Sequence, residues 1–120
     1  VGQGDAIAMY NAAVGGTLKI EQGVAQACAT RCEELFGVFD DQMEVAQRLS
    51  HNSGFGGFGS ARELQVGFDG KGHEAVTMLR AYREAALRFQ AAFLAAGQQF
   101  DAADAINARV LGSVAQGIDS

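Results

Sequence analysis

Apolar residues recur through the first half of the chain in steps of three and four. They are Ile7, Val14, Leu18, Ala25, Cys28, Cys32, Leu35, Phe39, Ala46 and Leu49, with Asn11, Glu21 and Gln42 as polar interruptions. That alternation is one stripe of a helix and predicts a helix over about 4–50. Tyr10 and Met43, each one position round, replace Asn11 and Gln42 at the seam. So long a stripe is the usual mark of coiled-coil-like packing. Gly15, Gly16, Gly23 and Gly37 interrupt it, each at about 1 kcal/mol relative to alanine, and the Gly15–Gly16 pair is the weakest point.

The pattern stops at HNSGFGGFGS, His51–Ser60, where Gly54, Gly56, Gly57 and Gly59 end the helix. A Gly/Phe loop over 51–59 is expected. Phe55 and Phe58 within it are either a hydrophobic plug at the hairpin tip or aromatics displayed for recognition. Ser60–Glu63 matches the S-x-x-E capping box, so a helix restarts near Ala61. Gly67, Gly70 and Gly72 then suggest a short helix 61–69, a break at 70–72 and a long helix 73–111, with one continuous helix as the alternative. The long helix carries Val76, Leu79, Tyr82, Ala86, Phe89, Phe93, Ala96, Phe100, Ala103, Ile106 and Val110, widened by Met78, Leu87 and Leu94. Residues 112–120 read as a flexible tail.

These elements give one domain over 1–120, all-α, built as a long antiparallel helical hairpin. Its apolar faces are wider than a two-helix seam needs, which predicts pairing into a four-helix-bundle dimer. Across the hairpin, Arg80, Arg83 and Arg88 are expected to face Glu33, Glu34, Asp40 and Asp41, and Glu84 and Arg88 form a favourable i,i+4 pair.

Composition narrows the function classes. Proline is absent from all 120 residues, which suits long helices. A net charge of −5 argues against nucleic acid as a partner. No apolar run approaches the roughly 18–20 residues of a membrane span. The opening VGQGDAIAMY lacks the basic region and apolar core of a secretory signal peptide.

No catalytic or metal constellation stands out, and no cofactor is expected. Cys28 and Cys32 lie four apart on the apolar stripe, as two small buried residues or, if the helix bends, as a disulfide. His51 and His73 flank the bend, far from either cysteine, so neither a zinc site nor a nucleophile–base pair is indicated. Repeated Glu-x-x-His is absent, and the glycine-rich loop follows a helix and lacks the Lys-Ser/Thr ending of a phosphate loop.

Phe55-Gly56-Gly57 at the bend is an F-x-G, and Phe100-Asp101-Ala102-Ala103-Asp104 is an F-x-x-x-D. In these two motifs, and in the stretch GFGGFGSARELQVGFDGK over 54–71, the chain resembles the Trp-Xaa-Gly helical-hairpin proteins of type VII (ESX) secretion and their actinobacterial relatives. The C-x-x-x-C of the first arm fits those relatives too. Phenylalanine stands at both signature aromatic positions, Phe55 for the tryptophan and Phe100 for the tyrosine of Y-x-x-x-D/E. The resemblance implies a non-enzymatic protein made in the cytoplasm and secreted, folded, without a cleaved signal peptide. It implies a homodimer or a heterodimer with a related hairpin protein. It also implies that a secretion ATPase reads Phe100 and Asp104, with Phe55 and Gly57 as the bend motif. On the residues alone, Phe100 and Asp104 are equally readable as a core aromatic and a solvated acid. Two other classes stand beside this one: a cytosolic helical adaptor or coiled-coil interaction module, and a small bundle enzyme or metal protein.

Overall fold

The computed structural model describes residues 2–50 and 59–119, with side chains over 2–48 and 70–113. The described residues form four helices: α1 (Gln3–Val14), α2 (Gln22–Ser50), α3 (Gly59–Ala96) and α4 (Phe100–Asp119). The fold is all-α, as the pattern predicts, and α2 and α3 make the antiparallel hairpin. Met43 and Ala46 meet Val76, and Asp40 meets Arg83. The molecule measures 62 × 24 × 19 Å. Its long dimension is close to the length of α3, about 57 Å for 38 residues at about 1.5 Å each.

Both arms break at positions where the apolar pattern runs on. Instead of one helix over 4–50, α1 ends at Val14 and the chain turns before α2 begins. Gly16, with φ +87°, takes the left-handed position. The amides of Gly16 and Thr17 donate to the carbonyls of Ala13 and Ala12, at 3.2 and 3.0 Å. This is the paired end-of-helix motif that a glycine just past the cap favours. Glu21 then opens α2: its carboxylate accepts the Val24 amide at 2.9 Å. Those amides hold its carboxyl below the usual carboxylate range, the Gly23 amide most strongly. At α1, Gly2 is the N-cap residue and no side chain caps the helix.

The second arm also departs from expectation. α3 runs unbroken through Gly67, Gly70 and Gly72, the continuous alternative, and stops instead at Ala96. The same end-of-helix motif recurs: the amides of Gln98 and Gln99 donate to Ala95 and Leu94, at 2.9 and 2.8 Å. Here the left-handed residue is Gln98, φ +67°. Position 97 also favours glycine, because a Cβ there would lie 2.6 Å from the Ala25 Cβ. The two turns lie side by side and are tied by the Ile20 amide donating to the Ala96 carbonyl, at 2.9 Å. α4 carries the helix on to Asp119, through residues assigned to a tail.

The consequence is a bundle closed within one chain. α1, α2 and α4 each pack on α3, which is therefore the central helix. Gln3 Nε2 donates to the Ala81 carbonyl at 2.9 Å, so α1 lies alongside the upper half of α3. Arg109 of α4 pairs with Glu33 of α2 at 2.9 Å, and Arg83 of α3 reaches Asp40 at 2.6 Å and Ser113 Oγ at 3.3 Å. Both guanidinium groups lie on the Phe36 ring, with centroid distances of 5.6 Å for Arg83 and 5.0 Å for Arg109. Arg88 stays on its own helix with Glu84, and Glu34 pairs with Arg31.

Small residues make the core. Ala29, Leu87, Ala91, Ala95, Ala96, Ala103 and Val110 are buried together at the four-helix end. A second, minor cluster of Met43, Ala46 and Val76 holds the two-helix arm. In α1 the buried residues are Ala6 and Ala13, whereas Ile7 and Val14 are 42% and 53% exposed. The stripe is thus rotated by one position from that predicted. Alanines face α3 and permit close approach, and larger residues are left at the rim.

Candidate functional site

Phe100 and Asp104 lie on one face of the first turn of α4, since residues four apart share a helix face. The resemblance places such a pair near the end of a second helix; the break at 97–99 puts it at the start of a further helix instead. Phe100 is 44% exposed. Asp104 is exposed and accepts a hydrogen bond from the Tyr10 hydroxyl of α1, at 3.3 Å. Burial, the nearby Asp104 charge and this bond raise the Tyr10 pKa above its usual value.

Beside this contact lies a groove of about 260 Å³ between α1 and α4. Ala6, Ile7 and Tyr10 form one wall, Asn107, Val110 and Leu111 the other, and Arg88 of α3 contributes from between them. The lining is mostly apolar with three polar groups, a surface able to hold another protein segment. The sequence gives no signal for Tyr10 as a partner of Asp104. The two are 94 residues apart and meet only because both arms fold back.

The remaining candidates separate. Phe55 and Gly57 of the bend motif, and His51, lie outside the described residues. Cys28 and Cys32 are free thiols, the first half-buried and the second buried. Burial and the neighbouring Cys28 push the Cys32 thiol up to about 11, which suppresses the reactive thiolate. His73 is exposed on α3. Among the described residues no cluster of three or more His, Cys, Asp or Glu is placed to hold a metal ion. No helix among them is long and apolar enough to cross a membrane.

Fold and site together define a class: an elongated all-helical bundle with an exposed aromatic–acid pair beside an apolar groove. No known family, curated protein or solved structure matches the chain.

Proposed function

We propose that this chain is a type VII (ESX) secretion-associated helical-hairpin protein, an exported substrate or the co-secreted partner of one. It acts by protein–protein interaction and not by catalysis. The supporting observation is the display of Phe100 and Asp104 one turn apart at the exposed start of α4, where a secretion ATPase can engage ring and carboxylate together. The antiparallel α2–α3 hairpin supplies the rigid body that presents them. Pairing with a second copy or a related hairpin protein belongs to the same reading.

The test is export. Phe100→Ala combined with Asp104→Ala is expected to abolish appearance of the protein in the culture medium, while helicity of the purified variant matches the parent. Both changes fall at exposed positions, so little stability is at stake. Normal secretion of the double variant would sink the assignment of these residues. The other reading, an interaction module, draws on the outer face of α2, where Leu35, Val38 and Val45 are exposed at helical spacing. Under it the double variant is exported or retained like the parent, and a Leu35→Ser, Val38→Ser variant loses its partner.

A further inference from the structure

The stripes of both arms keep phase through the turns that interrupt them. Val14, Leu18, Glu21 and Ala25 continue the three-and-four spacing across the first turn, as do Phe93, Ala96, Phe100 and Ala103 across the second. If residues 15–21 and 97–99 became helical, each arm would be a single straight helix along this row, with the α1 row of Ala6 and Ala13, buried in the folded-back chain, one position round from it. Backbone strain in the second turn favours that exchange. Gln98 is held at φ +67°, a region that side-chain-bearing residues rarely adopt. Neither turn contains a proline, so every residue in them can enter a helix.

Straightening uncovers Leu87, Ala91 and Ala95 of α3, which in the folded-back chain are buried in one cluster with Ala13 of α1 and Ala103, Ile106 and Val110 of α4. The surface that fits this face is already known, because α1 and α4 of the same sequence are seated on it. A second copy opened at the same turns offers both. We propose that the chain assembles as a reciprocal dimer, in which α1 and α4 of each copy extend from the turns and cover α3 of the other. The packing of the folded-back chain is remade between copies. The Arg109–Glu33 ion pair and the Arg83–Ser113 hydrogen bond become intermolecular. The tie between Ile20 and Ala96 is exchanged for helical hydrogen bonds. Exchange of identical elements is a low-cost route to a dimer when the connection is a hinge of this kind. The inference deepens the pairing part of the reading above, naming the partner as a second copy and the faces that meet, and it does not depend on export.

Charge reversal tests it. One preparation carries Arg109→Glu and another Glu33→Arg. In either alone, like charges oppose each other across α2 and α4. Mixed and refolded together, a reciprocal dimer of one copy of each restores opposite charges at both junctions; two folded-back chains lying side by side restore neither. Native mass spectrometry is expected to show the mixed dimer severalfold above its statistical share. A statistical mixture of dimers, or a mixture that stays monomeric, overturns the proposal. Hinge variants keep it testable if the charge variants fold poorly. Gly97→Ala crowds Ala25 in the turn and favours helix, so the dimer fraction measured by light scattering is expected to rise. Gln98→Gly relaxes the turn and is expected to lower it. A dimer fraction that does not move in opposite directions also overturns the proposal. Assembly is read on purified protein and export in the culture medium, so failure of one is distinct from failure of the other.

Discussion

Gly97 and Gln98 divide between them a task that Gly16 performs alone at the other turn. The left-handed residue at the end of α1 is a glycine; at the end of α3 it is a glutamine, and the adjacent glycine is the one that meets Ala25. Gln98→Gly is therefore expected to stabilise the folded-back chain by about 1 kcal/mol, visible as a shift of the urea midpoint. Gly97→Ala is expected to cost about 2 kcal/mol, since the facing methyl group has no rotamer through which to yield. Adding Ala25→Gly makes room, and the double variant should recover part of that loss. Absence of recovery would mean that the Ala25 contact does not set the position of the turn. This pair also shows why the sequence pattern alone does not mark the turn. Gly67, Gly70, Gly72 and Gly97 look alike in sequence, each a cost of about 1 kcal/mol to a helix. Gly97 faces another helix closely, with Ile20 beside it to take up the Ala96 carbonyl, whereas a Cβ at Gly70 would meet nothing within 4 Å.

At the scale of elements, the helices and their antiparallel pairing follow from the period of apolar residues, and the absence of proline allows their length. What the period does not give is which of two adjacent rows is buried. Ile7 and Val14 mark the row that hydrophobicity selects, while Ala6 and Ala13 occupy the row that close packing selects. The junction of Tyr10 with Asp104 inherits the same difficulty, since it depends on both arms turning back. The ends of the elements also carry a pH dependence. Glu21 at the start of α2 is held low by the Gly23 and Val24 amides, and Glu33 chiefly by its hydrogen bond with Arg109. Both are acids with depressed folded-state pKa, so their contribution is present above the ordinary carboxylate value of about 4.3 and is lost as pH falls through the lower folded values. The melting temperature should drop across that acid window. Glu21→Gln should flatten the drop, and an unchanged slope in that variant would remove Glu21 from the account.

For the whole molecule, the uneven core sets where stability resides. The four-helix end joins α1, α2, α3 and α4 around Leu87 and Val110, whereas the two-helix arm rests on Met43, Ala46 and Val76 with Ala75 and Leu79 at its edge. A radius of gyration of 18.2 Å exceeds the roughly 14 Å of a compact chain of this length, and the extended arm accounts for the difference. Backbone amides over 85–96 of α3 should therefore exchange with deuterium far more slowly than those over 70–80, although both lie on one continuous helix. Equal protection along α3 would show that the arm is as cooperative as the bundle. Leu87→Ala, at a cost of about 3 kcal/mol, should abolish the difference by lowering the protected end.

The position of α3 in the chain has a further consequence during synthesis. α1 leaves the ribosome before α3, and its hydrogen-bond partner Ala81 follows Gln3 by 78 residues. At roughly 5–20 residues per second, the first helix waits about 4–16 s for the surface it covers. Neighbouring ribosomes on one message carry α3 segments already emerged, so translation itself sets a competition between docking at home and docking on the chain ahead.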